Sequence, residues 1–212
     1  MNRWPFMPGN ARRAVGICFE ADRLHWVEVD WPRQQLPRVV HQGQCARAAR
    51  WQRREWQCHW QQAGVRAHRT GLALAEPSVM RFQIPLPSGL QARERWLWLQ
   101  QAMQSQLPWP IEDTAWDCQL LLHPAEPDAP APAHSVEVVA TPKAEVRNTR
   151  QWCRRAGLRL TRLEPLSQAL ARAARWQAAW DEGTQATDAP RGAIHTAPHQ
   201  AALGLALGAI QP

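Results

Sequence analysis

The sequence predicts an α/β protein in which helices pack on mixed sheets, and three observations carry that prediction. Short runs rich in Val, Ile, Leu and Trp alternate with longer segments whose apolar residues recur at the helical period. Gly and Pro, 11 and 18 residues, punctuate the junctions. Strands come first and then alternate with helices, an order that argues for α/β or α+β packing.

Residues 14–20, Ala-Val-Gly-Ile-Cys-Phe-Glu, read as a short buried strand. Residues 24–31, Leu-His-Trp-Val-Glu-Val-Asp-Trp, read as its hairpin partner across the turn Ala21-Asp22-Arg23. A third strand is expected over 38–42, with Pro32 and Pro37 in the connection. Residues 45–62 read as a helix whose stripe is Ala49, Trp56, Trp60 and Ala63, with Gly64 as its stop. Strands are expected at 70–75 and 79–84, before Pro85-Leu86-Pro87 breaks the chain.

Ser88-Gly89-Leu90-Gln91 has capping-box spacing and opens the next helix, with an apolar stripe of Trp96, Leu99, Met103 and Leu107. Strands at 116–122 and 135–140 flank residues 123–134, where four Pro and no bulky apolar side chain predict a surface loop. Thr141-Pro142 reads as the N-cap and first-turn proline of a helix. Its inner face is Val146, Thr149, Cys153 and Ala156, and Gly157 ends it. Residues 158–163 form another strand, and Pro165 opens a helix with Leu166, Leu170 and Ala173 inward. Residues 181–196 carry little periodicity and read as a linker. Residues 199–210 form a short apolar helix that needs a surface to dock on.

The 212 residues suit one domain, or two small subdomains sharing a core. No apolar run approaches the roughly 18–20 residues that cross a bilayer, and the N-terminus lacks the apolar segment of a signal peptide. The composition therefore argues against an integral membrane protein, a disordered chain and an exported precursor. Five Cys, none in CxxC spacing, fit reduced thiols rather than a disulfide framework. Cys58-His59 lacks a second ligand pair, so it reads as ordinary helix surface, and no metal site is expected.

The formal charge of +7 is carried by Arg, Lys143 being the only Lys among 25 basic residues. Such a surplus attracts nucleic acid, anionic lipid or acidic protein. Arg47, Arg50, Arg53 and Arg54 form one cluster at helical spacing, and Arg147, Arg150, Arg154 and Arg155 another. Interleaved Trp51, Trp56 and Trp152 suit base stacking on one reading. The stronger reading makes these clusters the solvated faces of helices whose Trp point to the core, and no nucleic-acid motif is present. No GxxxxGK[ST], GxSxG or HExxH occurs, and His25, His59 and His195 have no paired nucleophile. Asp113 and Asp117 read as surface residues rather than a catalytic pair. An enzyme is not expected.

A series of phrases adds to this reading. Val15-Gly16-Ile17 is followed across a turn by Leu24-His25-Trp26-Val27-Glu28-Val29. Then come Val79-Met80-Arg81-Phe82-Gln83-Ile84-Pro85-Leu86-Pro87, Leu107-Pro108-Trp109-Pro110-Ile111-Glu112-Asp113 with Asp117, and Ala156-Gly157-Leu158. Glu164-Pro165-Leu166 and Ala202-Leu203-Gly204-Leu205-Ala206-Leu207 complete the series. In this order they resemble the PilM family, the cytoplasmic actin-like proteins of type IV pilus assembly, and its short competence-type relatives.

The resemblance implies a truncated actin-like (ribonuclease H-like) α/β fold with subdomains resembling 1A and 1C. Residues 1–13 would be a flexible N-terminus, 14–78 and 158–180 the 1A-like part, and 79–157 an inserted 1C-like part. Residues 181–198 would be a linker where the family has a second actin-like domain, and 199–212 a C-terminal helix packing on the 1A-like part. Where the family's first phosphate hairpin has Asp-x-Gly-Ser, this sequence has Cys18, Glu20 and Ala21. A carboxylate at Glu20 repels phosphate, and Cys18 lacks the hard oxygen that a magnesium shell needs. No cofactor is expected, and the loop is read as a degenerate phosphate loop.

The function implied is that of a scaffold, peripheral to the inner membrane on its cytoplasmic side. It would hold the N-terminal tail of a PilN-like membrane protein in a groove between the subdomains, with Phe82, Ile84, Trp96, Leu160 and Leu163 as candidate contacts. Peripheral contact with an anionic membrane is an adjunct, through surface Arg and an interfacial foot of Arg3, Trp4 and Phe6. An actin-like ATP-binding protein and a basic nucleic-acid binder are the alternatives.

Overall fold

In strand β1 (Arg13–Glu20) and strand β2 (Arg23–Asp30), apolar side chains are buried on both faces, and the two pair antiparallel across a two-residue loop. The structure, a computed structural model, describes residues 13–32, 36–46, 52–74, 76–122, 134–183 and 196–210. The expected N-terminal foot, the proline-rich loop up to residue 133 and residues 184–195 of the expected linker lie outside them. The chain divides into two compact units, one of Met1–Ala75 with Arg150–Pro212 and one of Glu76–Thr149.

The first unit is built on a five-stranded sheet. Strand β3 (Arg38–Ala46) pairs antiparallel with β2. On the other side of β1, strand β4 (Arg69–Leu74) pairs parallel with it, and strand β8 (Arg159–Pro165) parallel with β4. The order is β3-β2-β1-β4-β8. The helix expected over 45–62 is shorter: Cys45 and Ala46 remain in β3, paired with Leu24 and Arg23, and helix α1 spans Arg53–Gln62. Residues 47–51 lie outside the described ones. The Glu55 carboxylate accepts the Gln52 N–H at 2.6 Å and so caps α1.

One face of this sheet carries aromatic residues. Ile17, Leu24 and Trp26 meet Trp56 and Trp60 of α1 and Cys153 of helix α3 (Lys143–Arg155). Trp56 stacks on Trp60 at 5.4 Å, Trp152 stands edge-on to Trp56 at 5.3 Å, and the Trp60 indole N–H donates to the Ala156 carbonyl at 3.0 Å. Gly64 and Gly157 adopt φ of 73° and 74°, the left-handed conformation that ends α1 and α3 as expected. Buried Glu28 ties down the chain entering β4. It accepts the N–H groups of Arg66 at 2.9 Å and Ala67 at 2.7 Å, and lies 2.7 Å from the His41 ring.

The other face receives helix α5 (Ala197–Ile210), the apolar helix expected to need a surface. Every residue from Ala201 to Ile210 is buried. Leu203, Leu205 and Leu207 each contribute about 1.5–3 kcal/mol by leaving water. The helix lies against β1 and β4 and against helix α4 (Leu166–Gly183) at backbone distance. A Cβ at Gly16 would overlap the Ala202 carbonyl, one at Gly71 the Leu205 carbonyl, and one at Gly204 the Ala169 carbonyl. Leu166, Leu170 and Ala173 face this core, as the periodicity predicts. Pro165, expected to open α4, is instead the last residue of β8, held there by pairing with Leu74. The expected linker begins later, because α4 continues through Asp181–Gly183.

A buried ionic cluster joins three of these elements. Glu164 of β8 is 4% exposed and takes both guanidinium nitrogens of Arg172 on α4 and the Arg162 Nε at 2.8 Å. Arg172 also donates to the Gly204 carbonyl of α5 at 3.0 Å.

The second unit has a three-stranded antiparallel sheet of order β5-β7-β6, made of β5 (Met80–Leu86), β6 (Thr114–Leu122) and β7 (His134–Pro142). Helix α2 (Ala92–Gln104) covers part of one face with Leu99 and Met103, packed on Ile84, Val136 and Val138. Its N-cap is Gln91, not Ser88, and Glu94 returns to the Gln91 N–H at 2.8 Å. Gly89, with φ of 84°, makes the turn before it. Thr141 and Pro142, expected as a helix start, stay in β7, because Ala115 and Thr114 of β6 pair with them.

Candidate functional site

The β1–β2 hairpin ends at the three positions read from the sequence as a degenerate phosphate loop. Residues of β1 alternate between the faces, so Cys18 and Glu20 point to the α5 side. His25 lies opposite Cys18 in the register and points the same way. The ring of buried His25 meets that of His199 on the first turn of α5, edge-on at 4.9 Å. The Glu20 carboxylate reaches back to within 3.1 Å of His25 Nε2. Thr196 Oγ1 lies 2.8 Å from His199 Nδ1. The loop end thus carries a largely exposed carboxylate beside the buried His25 ring, which itself meets His199 on the first turn of α5.

Ala21 has φ of 43°, the one described non-glycine residue in left-handed backbone. Ala21→Gly should raise stability by about 0.5–1 kcal/mol, because the left-handed conformation costs an L-residue about 1–2 kcal/mol while glycine, which adopts it freely, loses about 0.5–1 kcal/mol more chain entropy on folding. A urea-denaturation midpoint below that of the parent would contradict this.

The chemistry available at the loop end is restrained. The Cys18 thiol is pushed up to about 11, first by burial and then by the Glu20 charge, so it stays protonated and is a poor nucleophile. The pKa of His199 is lowered by burial and by His25, against a hydrogen bond with the Gly43 backbone that raises it. A histidine lowered in the fold is protonated more readily when unfolded. Its contribution is therefore complete above the unfolded pKa, about 6.5, and declines as the pH falls through it. His199→Gln should flatten the loss of stability between about pH 7.5 and 5.5. Identical pH profiles for the variant and the parent would rule out that contribution.

The five candidate partner contacts fall in different places. Ile84 is 1% exposed and Phe82 packs against the same core of the second unit. Leu160 and Leu163 are partly buried against the aromatic core of the first unit. The sheet row of Ile84 is covered by Leu99 and Met103 of α2. Trp96, expected on the inner stripe of its helix, is 51% exposed and lies flat on Trp116 at 4.5 Å. Leu120 shares a sheet row with Val136 and Ile84 but is 48% exposed, at the β6 edge. The sequence reading did not single out Leu120, although strict alternation along β6 places it on the α2 side.

The remaining sequence candidates are surface features. Asp113 and Asp117 are both exposed, and Asp117 Oδ1 accepts the Cys118 N–H at 2.8 Å. Cys58 points to solvent while the His59 ring packs on Trp56 and Trp60, so the two diverge. Among the described residues no three His, Cys, Asp or Glu converge as metal ligands, and no helix is long and apolar enough to cross a membrane. Arg47, Arg50, Arg3, Trp4, Phe6 and His195 lie outside the described residues.

No family model matches the sequence, and no curated protein matches it. Solved structures do match the fold. A chain of a PilM-PilN type IV pilus biogenesis complex superposes with a TM-score of 0.62 at 19% identity, over 77% of this chain and 50% of that one. The cytoplasmic domain of EpsL, an inner membrane component of the type II secretion system of Vibrio cholerae, superposes at 0.51 and 16% identity. That match covers 74% of this chain and 58% of the EpsL chain. The chain therefore spans between half and three-fifths of these two structures. It shares with them a two-sheet α/β fold.

Proposed function

We propose that this chain is a cytoplasmic scaffold of type IV pilus assembly, or of a related secretion machine, that holds the N-terminal tail of a PilN-like inner-membrane protein without binding ATP. The observation that carries the reading is the likeness to the PilM-PilN complex over 77% of the chain, found in a sequence whose phrases independently resemble that family. On this reading the first unit corresponds to subdomain 1A and the second to subdomain 1C, and residues 184–195 stand where the family has its second actin-like domain.

Physical features support each part. A short extended tail needs backbone partners and a few apolar contacts, and it needs no chemistry. The three-stranded sheet has β6 at its edge, beside exposed Leu120 and the Trp96–Trp116 stack, and an added strand there meets both requirements. The hairpin supports the reading without ATP: an incoming phosphate would meet the Glu20 carboxylate, and the protonated Cys18 thiol offers no ligand to magnesium.

Calorimetric titration with a synthetic tail peptide tests the reading. Saturable one-to-one binding is expected, weakened at least tenfold by Trp96→Ala or Leu120→Asp, with no heat from ATP and magnesium. A folded protein that ignores the peptide, or one that binds ATP at micromolar concentration, would remove it.

A further inference from the structure

The charge of the chain is divided unequally between its two units. The first has a formal balance of +11, from 20 Arg against nine Asp and Glu, and the second of −4, from five basic residues against nine acidic. Within the first unit a dense part of the excess, +4 from five Arg against Glu55, lies on the helices that cover the aromatic face of the sheet. Trp56 meets Trp152 and Trp60 meets Ala156, so α1 and the last turns of α3 run parallel and in register. One turn before those contacts stand Arg53 and Arg54 on α1, level with Arg150 on α3, and beyond them Arg154 and Arg155. All five are exposed, and among the described residues none is held in an ion pair. Glu55 on α1 is engaged at the Gln52 N–H, and Glu145 stands in the first turn of α3. The tryptophans of these helices face the core, so the outward surface is guanidinium without exposed rings.

We infer that the paired outer surfaces of α1 and the end of α3 form a docking face for the phosphate headgroups of an anionic bilayer. Arginine presents a planar fork that binds phosphate oxygens two at a time and is less strongly hydrated than lysine. Five exposed guanidinium groups on two parallel helices offer a broad array of such forks. Single-stranded nucleic acid would bind with base stacking as well as phosphate contact, and the buried Trp56 and Trp60 withhold that term. The inference rests on the proposed function, which places the chain beside a membrane-embedded partner, and assigns to that placement a second attachment independent of the tail.

Vesicle co-sedimentation tests it with the full chain. Vesicles of phosphatidylcholine with phosphatidylglycerol should bind the protein, pure phosphatidylcholine should not, and salt should reverse the binding. Arg54→Gln/Arg150→Gln/Arg154→Gln should lose affinity by roughly 100-fold, at the usual worth of a surface charge near an anionic leaflet. A control of equal charge loss, Arg23→Gln/Arg38→Gln/Arg175→Gln, should lose much less. Equal losses in the two variants would reduce the effect to net charge and overturn the face, as would absence of binding to anionic vesicles. Tighter binding to duplex DNA through the same three arginines would overturn it in favour of nucleic acid. The tail-peptide titration on the same preparations separates the two proposals. Peptide binding without vesicle binding removes the membrane face alone, and face-dependent vesicle binding without peptide binding removes the peptide reading alone.

Discussion

Gly16→Val is expected to destabilise the first unit by at least about 3 kcal/mol, at or beyond the upper end of the cost of overfilling a packed core. Valine suits a strand better than glycine does, so local propensity predicts a gain, and any loss measures the contact with α5. The new side chain meets the Ala202 carbonyl and the Ala206 N–H, which are backbone and cannot turn aside. Either α5 moves outward and uncovers Leu203 and Leu205, or β1 bends away from β2 and β4. Gly208→Ala provides the comparison. Its nearest neighbours are side-chain atoms of Arg162 and Arg172, which can give way only by loosening their hold on Glu164, so it should cost about 1–2 kcal/mol, less than Gly16→Val. Urea denaturation measures both, and equal losses would contradict a backbone-on-backbone fit. Hydrogen exchange adds a local readout, with the amides of α5 losing protection first in Gly16→Val.

Glu164→Ala is expected to cost about 2–4 kcal/mol. Removing one member of a buried ionic cluster leaves the others uncompensated, typically at 3–5 kcal/mol. The figure is reduced because the Arg162 side chain is 37% exposed and water recovers part of its charge. Arg172 is better buried and carries most of the cost, since it joins Glu164 to the Gly204 carbonyl. Glu164→Gln keeps an acceptor in place and should lose less. In the double variant Glu164→Ala/Arg172→Ala the losses should fall short of additive, because each single change already breaks the same contact. Strict additivity would show that the pair does not act as a unit.

Much of the architecture was legible in the sequence because it depends on neighbours along the chain. Gly64 and Gly157 end their helices where their conformational freedom is required. The apolar strands β1 and β2 read correctly, and so did the inward stripe of α4. Errors arose where a distant partner decided the outcome. Cys45 and Ala46 look helical locally but pair with β2, and Thr141 and Pro142 look like a helix start but pair with β6. Trp96 fits a buried stripe by spacing, yet Trp116 on β6 draws it to the surface of the unit.

The candidate site was legible as a substitution pattern but not as a geometry. Cys18, Glu20 and Ala21 stand out by comparison with the phosphate hairpin of the family the sequence resembles. The answering residues, His25 across the hairpin and His199 near the far end of the chain, come together only through β pairing and the docking of α5. Nothing in local spacing joins positions 20, 25 and 199. Glu164 is similar: its phrase was noticed, while its partner Arg172 lies one helix later and the carbonyl they share is on α5.

The proposal is that a two-sheet fold like those of the PilM-PilN and EpsL chains serves here as a dock for a peptide. Backbone and indole chemical shifts of isotope-labelled protein, followed first with the tail peptide and then with magnesium and ATP, test it most directly. The account predicts that the peptide displaces the Trp96 indole and amides along β6, while ATP leaves the amides of residues 18–25 in place. Saturable ATP-dependent shifts around Glu20, with no response to the peptide at Trp96, would contradict it.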